Sequence, residues 1–87
     1  MKIKEGFVLR TVCEDNLVVP IGEASVDFKS VIKLNETGVF IWKLLEKDAD
    51  IDTIVAAMLK EYNAEEEVIR ADVEAFCERL SIAGITE

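Results

Sequence analysis

The segment from Leu34 to Leu45 constrains the fold most, because it has the spacing of a helix with apolar residues on more than one face. Its apolar positions form two stripes, one of Leu34, Gly38, Ile41 and Leu45 and the other of Phe40 and Leu44, with Trp42 beside both. A helix of this kind must be covered on two sides. The pattern therefore predicts the central helix of one small core, with Trp42 inside that core.

The start of this helix is marked by Asn35, whose side chain can accept a hydrogen bond from an N–H group of the first turn. Gly38 lies inside the helix, where a glycine costs about 1 kcal/mol relative to alanine. We expect a close backbone approach by a neighbouring element to compensate for this cost.

Length and composition predict one globular domain over residues 1–87, since 51% of the residues are hydrophobic and 32% are charged. The longest uninterrupted apolar runs are far shorter than the roughly 20 residues that a membrane-spanning helix needs. The N-terminus also lacks the apolar stretch of a signal peptide. These features predict a cytoplasmic protein that does not enter a membrane.

The net charge of −8 lies entirely in the second half of the chain, where residues 44–87 have twelve acidic and four basic side chains. A nucleic-acid surface needs clustered lysine and arginine to displace counterions from phosphates. The acidic half would repel nucleic acid, and most of its carboxylates are best explained as a solvated surface.

The residue types that carry most catalytic and metal chemistry are scarce. The chain has no histidine and two cysteines, Cys13 and Cys77, which we predict to be small buried residues. No phosphate-binding loop, nucleophile elbow or metal-ligand spacing is present in the sequence. We therefore expect a protein that is not an enzyme and that needs no metal or cofactor.

The first third of the chain predicts strands. Phe7–Cys13 and Asn16–Ile21 are rich in β-branched and apolar residues and predict a hairpin, with Pro20 at an edge or near a strand end. Val26, Phe28, Ile32 and Leu34 share one parity and alternate with Asp27, Lys29 and Lys33, which predicts a third strand somewhere between Val26 and Leu34.

The rest of the chain predicts three helices, the first from about Glu36 to Lys47. The second starts after an aspartate cap in residues 48–50, and its buried face is Ile51, Ile54, Val55, Met58, Leu59 and Tyr62. Asn63 and Glu66 resemble a capping box for the third helix, which Gly84 ends, with Ile85 folding back as a last apolar contact. The predicted fold is α+β of the winged helix-turn-helix type, with a three-stranded antiparallel sheet followed by three helices.

Five segments form a recognisable set: Asn16–Pro20, Leu34–Gly38, Ile41–Leu45, Glu61–Tyr62 and Asp72–Phe76. Together they resemble the family of the pyrroloquinoline quinone biosynthesis protein D over nearly the whole chain. The resemblance implies a recognition domain that binds the leader of a ribosomally made precursor peptide. It also implies a partner, commonly a radical S-adenosylmethionine enzyme, that modifies the peptide. The product is either pyrroloquinoline quinone or another modified peptide.

In this family the leader adds as a strand beside the third strand, in a groove closed by the third helix. On that basis the expected strand edge is Lys29, Val31, Ile32 and Lys33, and the expected helical wall is Val68, Asp72, Ala75 and Arg79. An exposed edge of unpaired backbone groups is physically suited to strand addition. The alternative for each wall residue is an ordinary boundary face of the helix.

Two other functions remain open from the sequence. A winged helix could bind DNA, although its third helix would present six carboxylates against two arginines. The chain could also be a structural subunit whose apolar surface is covered by a partner or by a second copy.

Overall fold

A computed structural model describes residues 1–27 and 31–87 of the chain. The elements in chain order are β1 (Phe7–Val12), β2 (Asp15–Pro20), α1 (Ala24–Asp27), β3 (Ile32–Leu34), α2 (Glu36–Leu45), α3 (Ile51–Glu61) and α4 (Glu66–Ile82). The predicted α+β class is confirmed. The three long helices follow the sheet, as predicted, and the short α1 is an addition that lies between β2 and β3.

The sheet is antiparallel in the order β1-β2-β3, so β2 is central and β3 is an edge strand. A two-residue turn joins β1 to β2, with positive φ at both Cys13 (49°) and Glu14 (71°), as type I′ hairpins require. The predicted hairpin is confirmed. The predicted burial of Cys13 is wrong, because the turn places this residue at the exposed tip.

Val26 lies in α1 and not in a strand, so the third strand is shorter than the alternation of apolar residues allowed. The chain turns at Gly22, whose φ is +59° and whose carbonyl accepts bonds from both the N–H and the hydroxyl of Ser25. These local bonds start a helical turn. The alternating pattern was misleading because it implied that the Val26 side chain is buried in a sheet face, whereas this side chain is 68% exposed.

Helix α2 is the centre of the core, as predicted. Trp42 and Leu45 are completely buried, and Ile41 is 2% exposed. Asn35 caps the helix by accepting a 2.8 Å hydrogen bond from the Gly38 N–H. The neighbours that approach Gly38 from other elements are side chains, Leu34 of β3 and Phe76 of α4, and not the backbone that the sequence predicts.

Helices α3 and α4 pack against each other and cover one side of the core. Asp50 caps α3 by accepting a 2.7 Å hydrogen bond from the Thr53 N–H, as predicted. The predicted capping box at Asn63 is wrong, because α4 begins only at Glu66 and Asn63 is too far upstream to reach its first turn. Gly84, with a φ of +77°, follows the end of α4 as predicted.

The ends of the described chain pair with each other. Ile3 and Thr86 form an antiparallel bridge, in which the Lys4 N–H donates to the carbonyl of the fully buried Ile85. The Ile3 N–H also donates to the Leu45 carbonyl at the end of α2. The N-terminal residues Ile3 and Lys4 therefore connect the segment that follows α4 to the end of α2. Across residues 1–27 and 31–87, no helix has the length and apolar character needed to cross a membrane.

Candidate functional site

A cavity of about 560 Å³ lies where β3, the first half of α2 and the middle of α4 meet. Its lining residues are Lys33, Leu34, Asn35, Thr37, Gly38, Ile41, Met58, Asp72, Ala75, Phe76 and Arg79. We call this cavity the groove. It has the size of an ordinary ligand site, which is typically about 300 to 1,000 Å³.

The floor of the groove is apolar and firmly packed. Leu34, Ile41 and Met58 are at most 4% exposed, so their contribution to the surface is small and fixed. Gly38 adds no side chain, and a Cβ atom there would lie 3.2 Å from Cε1 of Phe76 and 3.3 Å from Cβ of Leu34. The missing side chain thus lets α4 lie close against the start of α2.

The rim of the groove is charged. Lys33 forms an exposed ion pair with Asp15, with 3.1 Å between Nζ and Oδ1. Asp72 and Arg79 have no ion-pair partner among the described residues. The groove therefore presents one carboxylate and one guanidinium on the α4 side that are not neutralised by the described part of the domain.

The N–H of Ile21 donates a 2.7 Å hydrogen bond to the Gly6 carbonyl, and this bond determines which residues of β2 face β1. In an antiparallel pair, the N–H and C=O of one residue point to the same neighbour, and successive residues alternate between the two sides. Counting back from Ile21, Val18 and Asn16 turn their backbone groups away from β1 and towards β3.

Lys33 consequently points its backbone N–H and C=O to the outer side of the sheet. Val18 lies opposite Ile32 and Asn16 lies opposite Leu34, so Ile32 and Leu34 use their backbone groups in the ladder with β2. Lys33 lies between them and has the opposite parity. No strand of the described chain covers this edge. The edge can therefore accept one further strand, directly beside the groove.

The residues predicted for the site are only partly brought together. Lys33, Asp72, Ala75 and Arg79 line the groove. Val68 is 53% exposed and does not line it. Whether any of them contacts a ligand stays a prediction.

The other residues predicted for the strand edge differ in their placement. Val31 is 58% exposed and immediately precedes β3, whereas Ile32 has its backbone groups turned inward to β2. The prediction for Lys29 lies outside the described residues.

Sequence reasoning missed the other seven residues that line the groove, which are Leu34 of β3, Asn35, Thr37, Gly38 and Ile41 at α2, Met58 of α3 and Phe76 of α4. The one available signal was Gly38, because a glycine in a helix interior indicates a close neighbour. That signal identifies the position but not the element that approaches it.

Among the described residues, none with a shifted pKa lines the groove. Arg70 has a raised pKa because its guanidinium donates a 2.9 Å hydrogen bond to Asp52. Burial raises the pKa of the Cys77 thiol. No group of three or more His, Cys, Asp or Glu side chains within the described ranges could bind a metal ion.

Two solved structures are similar to this chain over essentially all of its length. One is TbiB1 in complex with the TbiA(beta) leader peptide, with a TM-score of 0.80, 23% identity, and coverage of 100% of this chain and 95% of that one. The other is lasso peptide synthetase B1 complexed with the leader peptide, with a TM-score of 0.77, 14% identity, and coverage of 99% and 95%. At these identities the similarity establishes the fold.

The two sequence comparisons gave different results. A search of the curated proteins found no match. Residues 23–85, which include α1, β3 and the three long helices, match the family described as coenzyme PQQ synthesis protein D. This match covers well over half of the chain and includes every residue that lines the groove. The chain is therefore a member of the PqqD family.

Proposed function

We propose that this protein binds the leader segment of a ribosomally made precursor peptide, which pairs as a fourth strand with the edge at Lys33. The observation that carries the proposal is the outward-facing backbone of Lys33 immediately beside an apolar groove. The two similar solved structures support it, since each is a complex with a leader peptide.

Strand addition gives affinity and specificity from different parts of the ligand. Main-chain hydrogen bonds to Lys33 supply affinity that depends little on the peptide sequence. Alternate side chains of the peptide point to one face, and the groove offers them an apolar floor at Leu34 and Phe76. The chain would thus select a peptide by one or two bulky side chains.

In this proposal the protein is a binding partner and has no turnover of its own. It presents the leader to a modifying enzyme of the radical S-adenosylmethionine class, in the cytoplasm where the precursor is made. DNA binding is a poorer explanation, because the exposed surface of α4 includes Glu67, Glu74 and Glu78, which would repel phosphates.

Amide hydrogen exchange measured by NMR tests the docking site directly. The probe is a peptide selected on the full chain from a random 15-residue displayed library. In the free protein, the amides of Ile32 and Leu34 should exchange slowly and that of Lys33 quickly, since only the first two pair with β2. Bound peptide should slow the Lys33 amide by about tenfold or more.

The amide of Thr11 is the matched control, because this residue of β1 also faces outward, on the opposite edge of the sheet. Its exchange should not respond to the peptide. Failure to select any peptide, or protection at Thr11 in place of Lys33, would overturn the proposed function.

A further inference from the structure

Asp72 and Arg79 are the two charges that α4 contributes to the groove. They are two helical turns apart, which separates them by about 10 Å along the helix axis. Ala75 and Phe76 lie between them and also line the groove. The wall is thus acidic at one end, apolar in the middle and basic at the other end.

Arg79 differs from Arg70, the other arginine of α4, in having no ion-pair partner among the described residues. Arg70 is neutralised by the domain, at 2.9 Å from Asp52 and 3.7 Å from Glu66. Asp72 likewise has no such partner within residues 1–27 and 31–87. Their charges remain available to a peptide in the groove.

We infer that the groove selects a peptide with a basic residue and an acidic residue about four positions apart, with a bulky apolar residue midway between them. The basic residue pairs with Asp72 and the acidic residue with Arg79. The spacing follows because side chains on one face of an extended strand are an even number of residues apart, and four residues at about 3.3 Å each span about 13 Å, which the flexible charged side chains can match to the separation of Asp72 and Arg79. This inference rests on the proposed function and adds the chemistry and order of the ligand's side chains.

The acidic residue is the more diagnostic half of this pattern. The chain has a net charge of −8, so its overall field attracts basic peptides and repels acidic ones. Enrichment of a basic residue could therefore come from the overall field alone. Enrichment of a carboxylate at a fixed position relative to the apolar residue needs a local cation, which Arg79 supplies.

The test is a selection from the same random library on the full wild-type chain and on the exchange variant Asp72→Arg/Arg79→Asp. The exchange leaves the net charge and the overall field unchanged and reverses only the two local charges. Wild-type binders should have the acidic and basic residues in one fixed order about the apolar residue. Binders of the exchange variant should have them in the opposite order.

Binding constants then check the assignment. A wild-type peptide should bind the exchange variant about tenfold more weakly, and reversing its two charges should restore most of that loss. The control Lys47→Glu reverses an exposed charge outside the groove and should leave the charge order unchanged. If the exchange variant does not fold, as judged by circular dichroism, Asp72→Asn and Arg79→Gln replace it, and each should abolish one of the two preferences.

The outcomes separate this inference from the proposed function. Selected peptides that protect the Lys33 amide but show no charge order, or the same order on both proteins, would overturn the inference and leave strand addition intact. Absence of any selected peptide would overturn both.

Discussion

Gly38 and Phe76 meet at the floor of the groove, where a Cβ atom added to Gly38 would lie 3.2 Å from Cε1 of the phenylalanine. That distance is tighter than an ordinary carbon contact of about 3.5 Å or more. The lack of a side chain at Gly38 therefore sets how closely α4 approaches the start of α2, and with it the shape of the groove.

Gly38→Ala should leave stability within about 1 kcal/mol of the wild type and weaken peptide binding by about tenfold. Alanine gains helix propensity of about 1 kcal/mol, and the displacement of the half-buried Phe76 ring offsets it. The moved ring reshapes the groove that the peptide must fill. Urea unfolding and calorimetry measure the two quantities. Unchanged affinity would show that the peptide does not reach this part of the floor.

Trp42→Ala should destabilise the protein by about 3 to 5 kcal/mol, because it removes a completely buried aromatic side chain. Trp42→Phe should cost about 1 kcal/mol. The indole Nε1 is buried without a hydrogen-bond partner among the described residues, so losing it relieves part of the cost of the smaller ring. Urea unfolding followed by circular dichroism distinguishes the two variants. If Trp42→Phe lost as much unfolding free energy as Trp42→Ala, the Nε1 group would have to make a hydrogen bond in the folded protein.

Asp50 should make a contribution to stability that is lost in acid. Its pKa is lowered in the folded protein because the carboxylate accepts hydrogen bonds from Thr53. A lowered pKa means that the contribution is complete above the unfolded-state pKa, near 4, and disappears as the pH falls through the folded-state value. Asp50→Asn keeps a capping oxygen without the charge, so its deficit in thermal midpoint should shrink between about pH 7 and pH 3. A deficit independent of pH would contradict this.

The two thiols should differ sharply in reactivity. Cys13 is exposed in the hairpin turn, whereas Cys77 is 1% exposed and burial raises its pKa. Because the thiolate is the reactive form, Ellman's reagent should modify one thiol in the native protein and the second only in urea. The control is Cys13→Ser, which should show no rapid reaction when folded. Rapid modification of both native thiols would place Cys77 at the surface.

The parts of the fold that the sequence predicts well are those governed by local periodicity. The two apolar stripes of the Leu34–Leu45 segment correctly predicted that Trp42 is buried. Asn35 and Asp50 correctly predicted where α2 and α3 begin. Prediction failed where a local turn overrode the pattern. At Val26 a pair of hydrogen bonds to Gly22 favoured a helical turn over the strand that alternation suggested.

The sequence predicted residues on the β3 and α4 sides of the groove but not its floor. The α4 wall follows from residues offset from the buried stripe, and three of the four predicted positions line the cavity. Its floor depends on where α2 meets α4, a contact between segments about forty residues apart that periodicity does not encode. The parity of the strand edge likewise depends on the pairing of Gly6 with Ile21, which the sequence does not specify.

Lys33→Pro should abolish peptide binding and leave the domain folded. Proline removes the backbone N–H, and at Lys33 that group points outward and takes no part in the ladder with β2. Ile32→Pro should instead reduce stability, because the Ile32 backbone groups face Val18 in the ladder. Circular dichroism at increasing temperature measures folding, and calorimetry with the library-selected peptide measures binding.

Two variants separate the backbone effect at Lys33 from other causes. Lys33→Ala removes the side chain and its exposed ion pair with Asp15 but keeps the N–H, so most of the affinity should remain. Thr11→Pro removes an outward-facing N–H from the opposite edge of the sheet and should bind the peptide as the wild type does. Strand addition at β3 requires that only Lys33→Pro loses binding while folded. If folded Lys33→Pro bound as tightly as Thr11→Pro, the peptide would be docking elsewhere.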